Sequence, residues 1–87
     1  MTEQQLQTKI IKLLEDNDWI VVKTMALSKS GYPDIFAFRN RETIFIEVKV
    51  KNGVRSELQK HRINELKKQG FRAEFIDDLQ TFKKLFI

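Results

Sequence analysis

Thr43-Ile44-Phe45-Ile46-Glu47-Val48-Lys49-Val50 is the stretch on which the reading of the fold turns. Ile44, Ile46, Val48 and Val50 alternate with Phe45, Glu47 and Lys49, a period of two that predicts a β-strand with one wholly apolar face. The other face carries two charges beside Phe45. Burying either charge alone would cost on the order of several kcal/mol. The pair is therefore either a solvated Glu–Lys couple on an outward face or part of a built polar site.

Working outward, Asn40-Arg41 reads as a turn that joins this strand to a preceding one, Asp34 to Phe38. Further upstream, Met25 to Pro33 carries Ser28, Ser30, Gly31 and Pro33 and reads as a loop after the short β-rich run Trp19 to Lys23. Thr2 to Asp16 reads as a helix. Leu6, Ile10, Leu13 and Leu14 recur at helical spacing, Thr2-x-x-Gln5 is a capping box, and Asn17 is a stop. Downstream, Asn52-Gly53 breaks the strand and Ser56-x-x-Gln59 opens a second helix that Gly70 closes. Arg72 to Ile76 is a fourth strand. Asp77-Asp78 caps a last helix with Leu79, Phe82, Leu85 and Phe86 on one face.

The order is α-β-β-β-α-β-α. Three successive strands imply antiparallel pairing, and the β-α-β return implies a right-handed crossover to a parallel neighbour. The expected architecture is α/β, a mixed four-stranded sheet flanked by helices, formed by one domain over residues 1–87 with no internal repeat or linker.

Composition removes several chemistries. Cysteine is absent, which excludes disulfides, thiolate metal sites and thiol nucleophiles and suits a reducing cytosol. His61 is the only histidine, so one chain holds no multi-histidine zinc site. No apolar run approaches a membrane span, and Thr2-Glu3-Gln4-Gln5 is polar where a signal peptide needs an apolar stretch. The net charge of +4 is uneven: Lys49 to Arg72 carries +6 and the remainder −2. Such a segment points to a polyanion partner, or to a solvated helix face.

The second informative stretch is Gly31-Tyr32-Pro33-Asp34. An aspartate heading an apolar strand is disfavoured by β-propensity. Pro33 fixes its own φ and restrains Tyr32, and Gly31 permits close backbone approach, so the carboxylate is held. With the Asp34 and Glu47 strands as hairpin neighbours, both carboxylates converge at one end of the sheet. Two hard oxygen ligands suit Mg²⁺ or Mn²⁺, and the Val48 carbonyl between Glu47 and Lys49 can complete the metal shell. Lys49 can then orient an attacking water or neutralise charge in a phosphoryl transition state.

Pro33-Asp34, a gap of twelve residues and Glu47-Val48-Lys49 resemble the PD-(D/E)XK nuclease signature. The α-β-β-β-α-β order resembles that superfamily's core. Gly31-x-Pro33-Asp34, Glu47-x-Lys49 and the Ser56-Glu57-Leu58-Gln59 helix ending at Gly70 are more similar to its virus-type replication-repair nuclease branch, VRR-NUC. The resemblance implies a restriction-endonuclease-like αβββαβ core with an extra C-terminal helix. It makes Asp34 and Glu47 metal ligands and Lys49 the catalytic lysine. It places Glu3 as the acidic residue of the first helix, within direct or water-mediated reach of the metal; an ordinary helix-dipole carboxylate would also stand there. It matches Gln59 to the glutamine beside the active site, a role that competes with a capping-box bond to Ser56, since one side chain does not easily do both.

The implied function is a Mg²⁺- or Mn²⁺-dependent DNA endonuclease that is structure-selective in the manner of a Holliday-junction resolvase, with a DNA-repair role in a phage or bacterial cytoplasmic setting. The alternative is a non-catalytic nucleic-acid-binding module of the same fold. Expected phosphate contacts are Lys23, Ser28, Lys29 and Ser30 in and beside the loop and Lys51, Arg55 and Lys60 in the basic stretch. Neither a membrane nor an organic cofactor is expected. A homodimer is expected, with the apolar face of the last helix as spare surface.

Overall fold

Asn40 and Arg41 both take positive φ, 48° and 69°, the left-handed pair of a two-residue hairpin turn whose twist matches its flanking strands. Those strands are Ile35–Arg39 and Glu42–Val48, and their pairing runs from Arg39 opposite Glu42 to Ile35 opposite Ile46. The computed structural model describes residues 1–25 and 27–87. In chain order it contains α1 (Glu3–Asp16), β1 (Ile20–Lys23), β2 (Ile35–Arg39), β3 (Glu42–Val48), α2 (Glu57–Lys68), β4 (Arg72–Ile76) and α3 (Leu79–Phe86). The strands lie in the order β1-β2-β3-β4. The first two pairings are antiparallel, and β3–β4 is parallel across the α2 crossover. The expected mixed sheet and element order are therefore present.

Each helix begins where its cap dictates. Thr2 and Gln5 exchange backbone and side-chain bonds of 2.8 and 3.1 Å at α1, Ser56 and Gln59 do the same at 3.1 Å each at α2, and Asp78 accepts from Thr81 at α3. Gly70, at φ 89°, turns the chain out of α2 into β4. Among the described residues no helix is long and apolar enough to cross a membrane.

Alternation sends Ile35, Ala37, Ile44, Ile46 and Val48 to one sheet face, where they pack with Leu6, Ile10 and Leu14 of α1 and Phe82 and Phe86 of α3. That packing corrects one expectation. The apolar face of α3 is not spare surface: Phe82 and Phe86 are buried, Leu79 packs on the core, and only Leu85 of the four is exposed. The reason is lateral. The helices α1 and α3 lie side by side on the same sheet face, and α3 covers the part that α1 leaves bare.

The uncovered apolar area lies on the opposite face. There α2 packs against β4, while β1 and β2 present Ile20 (69% exposed), Val22 (46%) and Phe38 (38%). Phe36, Phe45 and Phe71 continue this face in edge-to-face contacts of 4.9 and 5.4 Å.

Smaller differences follow from local packing. Trp19 precedes β1 and is buried under the Arg39 guanidinium, 4.3 Å from its ring. Lys49 and Val50 lie beyond the end of β3, and Asp34 immediately precedes β2. The basic stretch is largely matched in space. Arg55, Lys60, Arg62, Lys67 and Arg72 each lie within 4.0 Å of a carboxylate, namely Asp77, Glu57, Glu65, Glu74 and Glu42. Such exposed pairs add little stability, but they blunt the field that the sequence suggested.

Candidate active site

The loop that delivers Asp34 is built against α2. Gly31 has φ 85°, and a Cβ there would fall 2.6 Å from Leu58 Cγ, so the backbone needs both glycine's conformation and its lack of a side chain. Tyr32 donates its hydroxyl to Glu65 Oε1 at 2.6 Å. The Arg62 guanidinium lies 4.6 Å from the Tyr32 ring, and its Nε donates to the Ser30 carbonyl at 3.1 Å. From the other side, the Thr24 N–H donates to the Asp34 carbonyl at 2.8 Å and its hydroxyl to the Pro33 carbonyl at 3.0 Å. Asp34 is thus fixed by α2 through its loop and by the end of β1 through its backbone.

Continuing the β2–β3 register by one step sets Asp34 across from Glu47. The Asp34 Oδ2 accepts the Val48 N–H at 3.2 Å. Glu47 is only 3% exposed. Burial, then a hydrogen bond to Asp34 and the charge of Asp34, push the Glu47 carboxyl up to about 8; Lys49 pulls it down, and Glu3 adds a small push upward. The two carboxyl groups therefore stand side by side at this end of the sheet. Lys49 is half-buried beside them and its N–H donates to the Ile76 carbonyl at 2.9 Å, which ties this end of β3 to β4.

These groups open into a cleft of about 520 Å³ over the end of the sheet. It gathers three carboxylates (Glu3, Asp34, Glu47), two lysines (Lys23, Lys49) and three amides (Gln4, Gln7, Gln59). Glu3 shares the cleft but stands apart from the acidic pair: among the described residues no three acidic or histidine side chains are close enough to hold one ion together. Asp34 and Glu47 offer two hard oxygen groups with room for water and a phosphate oxygen, a donor set that Mg²⁺ or Mn²⁺ fits. Val48 gives its N–H to Asp34, and its side chain is buried in the core.

Gln59 resolves the competition posed by its position. Its Oε1 accepts the Ser56 N–H at 3.1 Å in the capping box while the side chain also borders the cleft. The carbonyl end serves the cap, which leaves the NH₂ end as a donor.

Lys29 and Ser30 line an adjoining hollow of about 310 Å³ that shares Asp34 with the cleft. The expected phosphate contacts of the basic stretch lie elsewhere. Lys51 borders a separate depression beside Asp77 and Leu79, Arg55 stacks 4.7 Å from the Phe75 ring, and Lys60 pairs with Glu57 at 3.2 Å. Gln7 and Lys23 belong to the cleft; Lys23 was an expected phosphate contact, and Gln7 was not among the expected site residues. The available signal was Gln7 itself, a polar residue in line with Glu3 and Ile10 on the apolar stripe of α1.

Two solved structures are similar to the chain over 98% of its length. One, titled a VRR_NUC domain, has a TM-score of 0.86 at 22% identity, with 95% of its own chain covered. The other, titled a VRR_NUC domain protein, has a TM-score of 0.79 at 24% identity, with 85% covered. At these identities they establish the fold. Comparison with curated proteins gives no match. The family model for the VRR-NUC domain matches residues 1–77, a span that holds every residue of the cleft. The chain belongs to the VRR-NUC family, a nuclease-type family.

Proposed function

We propose that this chain is a divalent-metal-dependent endonuclease that hydrolyses phosphodiester bonds in DNA, with branched DNA as the preferred substrate. The observation that carries the reading is the Asp34–Glu47 pair, a half-buried and a buried acid set across from each other in one open cleft with Lys49 beside them. Two acids side by side repel when both are ionised, and a divalent cation between them removes that cost.

Asp34, Glu47 and the Val48 carbonyl would hold Mg²⁺ or Mn²⁺, with Glu3 acting through water. When bound, the ion supplies Lewis acidity and neutralises charge on the phosphoryl group. Lys49 holds its ammonium at the same corner, where it orients the attacking water in line with the leaving oxygen and stabilises the charge that develops. Gln59 offers its NH₂ to a phosphate oxygen while its carbonyl keeps α2 capped. Lys29 and Ser30, in the hollow that continues from Asp34, receive the strand as it leaves the cleft. No side chain forms a covalent bond to the substrate.

The chain acts as a homodimer through the sheet face carrying Ile20, Val22 and Phe38 rather than through α3. Two copies pairing these faces would bury the apolar area that the fold leaves bare and would present two clefts to two strands.

The test is cleavage of labelled linear, nicked, flapped and four-way-junction DNAs with Mg²⁺, with Mn²⁺ and with chelator. Cutting that needs the metal and favours branched DNA supports the reading. Binding without cutting under every metal condition would transfer the chain to the class of non-catalytic nucleic-acid-binding modules.

A further inference from the structure

Gln7 is 9% exposed, and its amide borders the cleft, yet its side chain makes no hydrogen bond among the described residues. The amide meets water at the cleft, because among the described residues only Trp19 Nε1 is both buried and unpartnered, so the Gln7 donor and acceptor are free for a group that arrives there. Lys23 borders the same cleft and forms no ion pair among the described residues, although Glu3, Asp34 and Glu47 all lie in that cleft. Both side chains come from the α1 side. Lys23 pairs in register with Ile35, a residue of the face that α1 covers. Gln59 enters from α2 on the opposite face, so the cleft is walled by amide and ammonium groups from both faces of the sheet.

A hard, electron-rich oxygen is what an amide NH₂ and an unpaired ammonium can hold in common. We propose that Gln7 and Lys23 form a phosphate-holding subsite on the α1 wall of the cleft, which grips a non-bridging oxygen of the nucleic-acid strand apart from the group held by Asp34, Glu47 and Lys49. The proposal rests on the phosphodiester reading above. It assigns the two residues distinct parts: Lys23 supplies charge and releases one counterion's worth of salt dependence, and Gln7 supplies direction without charge.

The experiment is equilibrium binding of a fluorescent four-way junction and a short duplex, with Ca²⁺ in place of Mg²⁺ so that no cutting is needed, across a series of salt concentrations. Gln7→Leu keeps the buried volume and is expected to weaken binding about five- to tenfold with an unchanged salt slope. Lys23→Gln is expected to weaken binding to a similar extent and to lower the slope by about one. Gln7→Glu should weaken it further than Gln7→Leu, and the double variant should lose less than the product of the single losses, because both groups hold one oxygen.

A purely structural Gln7 would show the reverse pattern. Thermal midpoints of Gln7→Leu at or above wild type together with weaker binding support the subsite. Binding by Gln7→Leu and Lys23→Gln within twofold of wild type overturns it, as does an unchanged slope in Lys23→Gln. Should Gln7→Leu fold poorly, the Lys23→Gln slope decides alone. If the wild type binds no DNA, both the subsite and the nuclease reading fall. If it binds but the variants match it, only the subsite does.

Discussion

Asp34 Oδ2 accepts the main-chain N–H of Val48 at 3.2 Å, which ties the aspartate to the peptide unit that follows Glu47. The bond holds the Asp34 carboxylate beside the strand position that carries Glu47. Asp34→Asn keeps an oxygen for the Val48 N–H, removes one charge and gives Glu47 a donor. Its expected signature is a thermal midpoint at pH 8 at or above that of the wild type, with metal-dependent cleavage reduced at least about 100-fold. A melt and a cleavage assay on the same preparation check both.

Glu47 makes the stability of the metal-free protein depend on pH. Its carboxyl moves from an ordinary 4.5 to about 8 on folding, so between those values the native state holds a proton that the unfolded state has released. The contribution is complete below about 4.5 and is lost as pH rises through about 8. Urea unfolding with chelator present is expected to show stability falling by an amount on the order of a few kcal/mol from pH 5 to pH 8.5. Glu47→Gln should flatten that slope, and so should saturating Mn²⁺.

Gly31→Ala places a methyl group 2.6 Å from Leu58 Cγ at a φ of 85°. The expected cost is about 1–3 kcal/mol, and the loop that carries Asp34 should be displaced from α2. Pairing it with Leu58→Ala removes the clash but not the backbone strain, so denaturant midpoints should show only partial rescue relative to the two single losses.

The sheet-face dimer is open to direct contrast. Val22→Lys should shift the sedimenting species from dimer to monomer at micromolar concentration, and Leu85→Lys on α3 should leave it unchanged. Both positions are similarly exposed, 46% and 42%, so the comparison isolates location from exposure. Dissociation by Leu85→Lys alone would move the interface back to α3.

Much of this arrangement was legible in local chemistry. The Thr2–Gln5 and Ser56–Gln59 boxes set two helix starts, Asn40-Arg41 set the hairpin, and the alternation from Ile44 to Val48 set the core strand, because each signal acts within a few residues. Tertiary packing decided the rest. Nothing in the spacing of Phe82 and Phe86 shows that α3 shares a sheet face with α1, so that apolar stripe looked unpartnered. Of the pairs that blunt the basic stretch, Lys60–Glu57 and Arg62–Glu65 are three apart on α2, but Arg72–Glu42 joins residues thirty apart in sequence. Gln59 looked forced to choose between two roles because its carbonyl and amide ends point to different neighbours only once α2 is set against the cleft. Asp34 and Glu47 were legible as a pair, but the burial that couples them comes from the layers above and below.

The central claim is that Asp34 and Glu47 share one divalent cation. Anomalous diffraction from crystals soaked in Mn²⁺ tests it directly. The expected result is a peak between the two carboxyl groups, within ligand distance of both, that disappears in Glu47→Gln. A fully soaked crystal with manganese bound elsewhere, or with that corner empty, would contradict the account.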